Sequence, residues 1–278
     1  LIRKLSLVFM LIGAVSFFIG IVAVGGPPLI LGNEVRVALY NSPYWSPFVL
    51  GQLGLFFAAW TSINGLKLCV FSKFLIFIIL FFSFLSGGKG PLLLSLLFLF
   101  ALRYKDRKFK LASVVKLLIL ICFFFVFINS IRVGGSLVGL IQIPYYLFWG
   151  YQNFSDIAFV YPQVDCLYTV PISSCEFTNV SFDLADSTWN VYSALMPIYL
   201  DGGNVYVFLF FLFLTLVFFV TEKTHGVVLL DYIHVYLIYS LMMSHNGYMF
   251  NSGTLVMILF PLIFLEFFRS VRGSTYKH

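Results

Sequence analysis

Val70-Phe-Ser-Lys-Phe-Leu-Ile-Phe-Ile-Ile-Leu-Phe-Phe-Ser-Phe-Leu-Ser-Gly-Gly-Lys-Gly-Pro-Leu-Leu-Leu-Ser-Leu-Leu-Phe-Leu-Phe-Ala-Leu-Arg103 consists of two apolar runs joined by a glycine-rich turn. A helix needs about 20 mostly apolar residues to cross a hydrocarbon core of ~30 Å, and runs approaching that length recur along the chain. We read them at residues 5–25, 48–64, 68–86, 91–104, 111–131, 204–221, 227–244 and 253–268. The expected fold is an all-α polytopic integral membrane protein of about eight transmembrane helices.

Composition leads to the same place. The chain is 61% hydrophobic and 10% charged, against about 45–50% and 25% in soluble domains, so one water-soluble core cannot hide its apolar surface. The net charge of +6 does not imply nucleic acid, because the basic residues sit beside apolar runs rather than on a basic, aromatic-interleaved soluble surface. Arg3 and Lys4 precede the first run as in a signal peptide, yet Leu5 to Gly25 exceeds a signal core of roughly 7–15 residues and reads as a helix. The chain begins at Leu1, and further helices ahead of it are compatible with this reading.

The segment 132–203 differs from the rest. It carries prolines, acidic side chains and aromatic stretches such as Pro144-Tyr-Tyr-Leu-Phe-Trp149. Here we expect a large outer loop containing short interfacial or re-entrant helices, within a single transmembrane domain of residues 1–278. Cys166 and Cys175 share this segment and are the plausible disulfide pair, whereas Cys69 and Cys122 lie in or beside apolar runs.

Charge sets the orientation. With both termini in the cytoplasm, Arg3, Lys4, Lys67, Lys73, Arg103, Lys105, Arg107, Lys108, Lys110, Lys116, Lys223, Arg269, Arg272 and Lys277 fall inside, 14 of the 17 basic residues. That bias obeys the positive-inside rule. Outside remain Arg36, Lys89 and Arg132, among Glu34, Asp156, Asp165, Glu176, Asp183, Asp186 and Asp201. Three isolated cations on an acidic face are either partners of those acids or groups that bind an anionic ligand.

The turn Ser86-Gly-Gly-Lys-Gly-Pro91 precedes only about twelve apolar residues before Arg103, so at ~1.5 Å per residue that helix scarcely spans the bilayer. Lys89 then lies near lipid-headgroup depth. Gly88 and Gly90 would let backbone amides approach a phosphate there, and the following helix adds its positive end. The competing reading is a tight hairpin whose lysine snorkels to the headgroups. The spacing is not that of a nucleotide P-loop.

Arg132 ends the fifth run beside Gly134 and Gly135. Its planar fork suits bidentate phosphate binding, or equally an interfacial anchor. Arg36, next to Glu34, reads more readily as locally paired. Asp186, Asn190, Tyr192, Tyr199 and Asp201 lead from the loop into the sixth run, a mixture suited to sugar hydroxyls and ring faces and equally to an aromatic belt. Imidazole is the side chain suited to proton transfer near neutrality, so His245 is a candidate for that role, or caps a helix end. Asp231 and His234 read as an intramembrane polar pair.

No dense His/Cys/carboxylate cluster points to a metal and no Ser/His/Asp arrangement to hydrolysis, so we expect a site without metal or cofactor. Asn153-Phe-Ser and Asn179-Val-Ser match the glycosylation pattern, but such short matches carry little weight. Neither a repeat nor an inverted pair of broken helices is evident, which weighs slightly against a transporter.

The order of features resembles a known family. Phe84-Leu-Ser-Gly-Gly-Lys-Gly-Pro-Leu-Leu93 closes one helix and opens another. Basic Arg103 to Lys110 precedes the next and Arg132 follows it. Asn190-Val-Tyr-Ser-Ala-Leu-Met-Pro-Ile-Tyr-Leu-Asp-Gly-Gly203 then ends a large loop. Over about residues 50–268, this is similar to the bacterial oligosaccharide repeat-unit polymerases of the O-antigen polymerase (Wzy) type. Lys89 stands where that motif usually has arginine, keeping the charge without the fork. Family members are also usually longer.

The resemblance implies a membrane glycosyltransferase. It would transfer a growing glycan from a polyprenyl-diphosphate carrier to another lipid-linked repeat, on the periplasmic face of the inner membrane. A flippase and a chain-length regulator would be its partners. Lys89 and Arg132 would stabilise charge developing on the diphosphate, with Arg36 as a further binding group. Asp201, Asp186 or His245 would take the proton of the attacking hydroxyl. The competing readings are an O-antigen ligase-like enzyme and a transporter of polysaccharide or lipid-linked sugar.

Overall fold

The computed structural model describes residues 2–65, 67–105, 111–132, 195–224 and 227–242, with positions 262, 263 and 266. The secondary structure among them is helical: α1 (Ile2–Ala23), α2 (Pro28–Leu31), α3 (Asn33–Tyr40), α4 (Trp45–Ile63), α5 (Val70–Leu85), α6 (Lys89–Lys105), α7 (Leu111–Arg132), α8 (Leu195–Lys223) and α9 (Val228–Met242). Two compact units divide the chain, Leu1–Leu140 and Ile141–His278.

Ile2–Leu31, Trp45–Ile63 and Gly202–Lys223 are long and apolar enough to cross a membrane. Val70–Leu85, Lys89–Leu99, Ile119–Ile128 and Val228–Ser240 are apolar but shorter. Among the described residues, helical secondary structure with three such helices is the make-up of an α-helical membrane protein. The runs read from the sequence between residues 5 and 131, and at 204–221 and 227–244, are helical over most of their length. The run at 253–268 lies outside the described residues apart from three positions, and so do residues 133–194 of the segment 132–203.

The first unit is held by close backbone approach. Helices α1 and α4 run antiparallel, pairing Ser6 with Gly54, Gly13 with Gly51 and Phe17 with Phe48. A Cβ added at Gly13 would lie 2.5 Å from Gly51 Cα, and one at Gly54 would lie 2.8 Å from the Met10 nitrogen. Ser6 donates from Oγ to the Gly54 carbonyl at 2.8 Å. Because lipid gives apolar helices no hydrophobic drive to associate, small residues that allow dispersion contact and such interhelical hydrogen bonds supply the attraction.

Aromatic rings continue this interface. Tyr40, Trp45, Phe48, Phe17 and Phe82 form a row with successive centroid separations of 4.1, 5.2, 4.5 and 4.8 Å. The row joins α3, α4, α1 and α5.

Helices α2 and α3 were not anticipated in the connection after the first run. Gly25 and Gly26, at φ 91° and 146°, turn the chain where other residues would be strained. Pro28 then opens α2 at its first position, where a missing N–H costs nothing. Leu29 of α2 is buried with Leu92, Leu96 and Ile128, against Phe84 and Phe124. The connection is thereby pinned onto α5, α6 and α7.

The second unit contains the α8–α9 hairpin. Helix α8 is broken at Gly202–Gly203, where Gly203 takes φ 64°. Beyond the break its rings face outward, Phe208 and Phe213 among them. Across the hairpin, His234 Nδ1 lies 3.2 Å from the Thr221 hydroxyl and the imidazole stacks on Phe218 at 4.8 Å. Glu266 accepts the Val228 amide at 2.6 Å, which caps the start of α9.

Candidate functional site

At one end of the first unit the α5–α6 turn meets α3. Gly87 adopts φ 66°, and a Cβ there would press on the Leu29 backbone at 3.2 Å. A Cβ at Gly88 would collide with the Tyr40 hydroxyl. Gly87 is required by its left-handed backbone and the Leu29 chain above it, whereas a side chain at Gly88 would have to push the Tyr40 hydroxyl aside. Lys89 opens α6, half-buried, with its ammonium 5.7 Å from the ring centre of Phe125 on α7.

Arg36 reaches this end from α3. Its Nη2 donates to Asn33 Oδ1, and its guanidinium carbon lies 6.0 Å from the Tyr40 ring centre. Asn33 and Tyr40, rather than the neighbouring Glu34, orient the fork. The contacts run from Arg36 to Tyr40 to Gly88, whose chain neighbour is Lys89. Arg132 closes α7 two turns, about 10 Å, beyond Phe125 along the helix.

Beneath the turn lies a buried polar cluster. Gln52 on α4 is 2% exposed, and its Nε2 lies 2.8 Å from the Pro91 carbonyl, 3.0 Å from Ser95 Oγ and 3.3 Å from Ser83 Oγ. The two shorter contacts take its two hydrogens. Ser83 donates to the Ile79 carbonyl at 2.8 Å, so in the 2.9 Å contact between the serines Ser95 is the donor. Ser86 Oγ donates to the Ser83 carbonyl at 2.7 Å and accepts the Gly88 amide at 3.4 Å. An unpaired buried amide would cost about 1–3 kcal/mol, so the satisfied cluster holds α4, α5 and α6 in one register.

Of the residues singled out in the sequence, Arg36 is linked to Gly88 through Tyr40, and Lys89 and Gly90 follow Gly88 as the first two residues of α6. Tyr199 is half-buried in the second unit, and Asp201 immediately precedes the break in α8. Asp186, Asn190, Tyr192 and His245 lie outside the described residues, as do Cys166 and Cys175. Asp231 and His234 are both buried, and Nδ1 of the imidazole lies against the Thr221 hydroxyl. Among the described residues no group of three or more His, Cys, Asp or Glu side chains is placed to hold a metal.

Sequence reasoning overlooked Tyr40 and Gln52. Tyr40 is four residues after Arg36, the spacing of neighbours on one helix face, and this was a usable signal. So was Gln52, an amide inside an apolar run that must find partners. Its partners Ser83 and Ser95 carried no signal, because a serine within an apolar helix usually satisfies itself locally.

Cys69 sits in the connection before α5, with its sulfur 3.1 Å from Ser72 Oγ. The neighbouring Ser72 hydroxyl and amide, aided by Arg3, favour the thiolate and bring its thiol from 9.0 down to about 7. Comparison of the whole chain with family models, curated proteins and solved structures finds no match.

Proposed function

We propose that this protein polymerises lipid-linked oligosaccharide repeats of O-antigen or capsule at the periplasmic face of the bacterial inner membrane. The observation that carries the reading is the meeting of α3 with the Ser86–Pro91 turn. It draws Arg36 and Lys89, cations from two separate connections, to one end of the bundle. Cations beside glycine backbone at a helix start are what a polyprenyl diphosphate headgroup requires.

In the reaction, the bond between the donor's anomeric carbon and the diphosphate breaks, and a bond to a hydroxyl of the acceptor repeat forms. The diphosphate leaves with the electron pair, stabilised by Lys89, Arg36 and Arg132. The hydroxyl proton passes to a base, for which Asp201, Asp186 and His245 are the candidates. Asn190, Tyr192 and Tyr199 supply hydrogen bonds and ring faces to the sugars. The remaining partners are membrane lipid, a flippase and a chain-length regulator.

The test is the banding pattern of surface polysaccharide after deleting the gene and restoring wild type or Arg132→Ala. Expected is a ladder that collapses to a single repeat in the deletion and returns only with wild type. Polymer that persists on its lipid carrier would indicate ligation instead. A full ladder from stably inserted Arg132→Ala would remove Arg132 from the site.

A further inference from the structure

The buried cluster beneath the turn does more than join helices. Its hydrogen bonds have a defined direction, from Gln52 Nε2 to Ser95, from Ser95 to Ser83, and from Ser83 to the Ile79 carbonyl. A second arm of Gln52 holds the Pro91 carbonyl at 2.8 Å. Pro91 is the residue after Gly90, so this bond grips the far side of the Lys89 turn. Ser86 grips the near side, bonded to the Ser83 carbonyl and receiving the Gly88 amide. Lys89 and Gly90 thus lie between two anchors that both lead to Ser83, Ser86 at its carbonyl and Gln52 through Ser95 at its hydroxyl.

We infer that Gln52 is a positioning residue for the anion-binding turn: from inside α4 it sets where Gly88, Lys89 and the start of α6 stand. The inference rests on the reading of that turn as the diphosphate site. The amide fits this task because the Pro91 carbonyl only accepts hydrogen bonds, so the nitrogen must face it. Both of its protons go to α6, and Ser95 carries the link on to Ser83 of α5. Neither serine could hold both acceptors of α6, since each hydroxyl has only one proton to give. Gln52 also follows Gly51, whose backbone packs on Gly13, so its helix is held against α1 at the same level. The turn accordingly takes its position from the most closely packed helix pair in the first unit.

The test uses the full chain purified in detergent micelles, with Gln52→Met as the main variant because it keeps length and apolar volume while removing the hydrogen bonds. Two readouts are taken. The first is the maleimide labelling rate of Lys89→Cys, with Gln52 intact or replaced, which reports the turn itself. The second is the affinity for farnesyl diphosphate, a short polyprenyl diphosphate, with Lys89 intact.

Expected is a severalfold change in labelling, together with about tenfold weaker farnesyl diphosphate binding, the range lost when the outer supports of a binding group are removed. Ser95→Ala shifts both readouts in the same direction by less, and it carries the test if Gln52→Met does not fold. Unchanged labelling overturns the inference while leaving the diphosphate reading intact. Failure of the wild type to bind farnesyl diphosphate overturns the reading of the turn, and the inference with it. Altered labelling with undiminished binding shows that the turn moves without serving the anion, and also overturns the inference.

Discussion

Replacing Gly13 by alanine adds one methyl group at the closest point of the bundle. Its carbon would stand 2.5 Å from Gly51 Cα, 2.9 Å from the Gly51 nitrogen and 3.3 Å from the Phe48 carbonyl oxygen. Carbon atoms rest at about 3.5–4.0 Å, so the α1–α4 pair must open by about 1 Å. Opening by that amount forfeits a quarter to a half of each dispersion contact along the seam. It also stretches the 2.8 Å bond from Ser6 to Gly54 beyond hydrogen-bonding range.

Overpacking of this kind costs about 1–3 kcal/mol, and an interhelical hydrogen bond in a membrane adds roughly 0.6 kcal/mol. We therefore expect a loss of about 2–3 kcal/mol, measured as a lowered midpoint of SDS unfolding in mixed micelles. Val15→Leu is the control, since Val15 is on the exposed face of α1, and it should leave the midpoint unchanged. A Gly13→Ala protein as stable as wild type would refute the argument that backbone contact holds these helices.

Two further predictions follow from the site and its surroundings. Gly88→Ala should displace α3 by driving a methyl group into the Tyr40 hydroxyl and should shorten the polymer ladder. Tyr40→Phe, which removes that hydroxyl, should recover part of the loss, and strictly additive effects in the double mutant would contradict the contact. Cys69 should react with iodoacetamide along a curve whose midpoint is near 7, rising with pH as the thiolate forms. Because the Ser72 hydroxyl favours the thiolate, Ser72→Ala should move that midpoint upward, and an unmoved curve would dismiss its role.

Much of the helical plan could be read from the amino-acid order alone. Apolar runs such as Val70–Leu85 and Val228–Met242 must pair their backbone polar groups internally in lipid, and a continuous helix does that with no help from the rest of the chain. Glycine at positions 87 and 88 was legible in the same way, as a turn between two runs.

The helices α2 and α3 could not be read so directly. They are too short to be stable alone, and they persist because Leu29 finds Leu92, Leu96 and Ile128, while Tyr40 finds Trp45 and Gly88. Those partners are far apart in the chain.

The same holds for the candidate site. Charge counting marked Arg36 and Lys89 as unusual, each by itself, because electrostatic cost depends on where a residue lies relative to lipid. That they converge on one end, and that Gln52 grips the turn between them from below, required the antiparallel seam of α1 and α4 and the fold of α5 back along α6. Hydrogen bonds between helices depend on register and crossing. Both are settled by glycine contacts such as Gly13 with Gly51, which set how closely two backbones can lie.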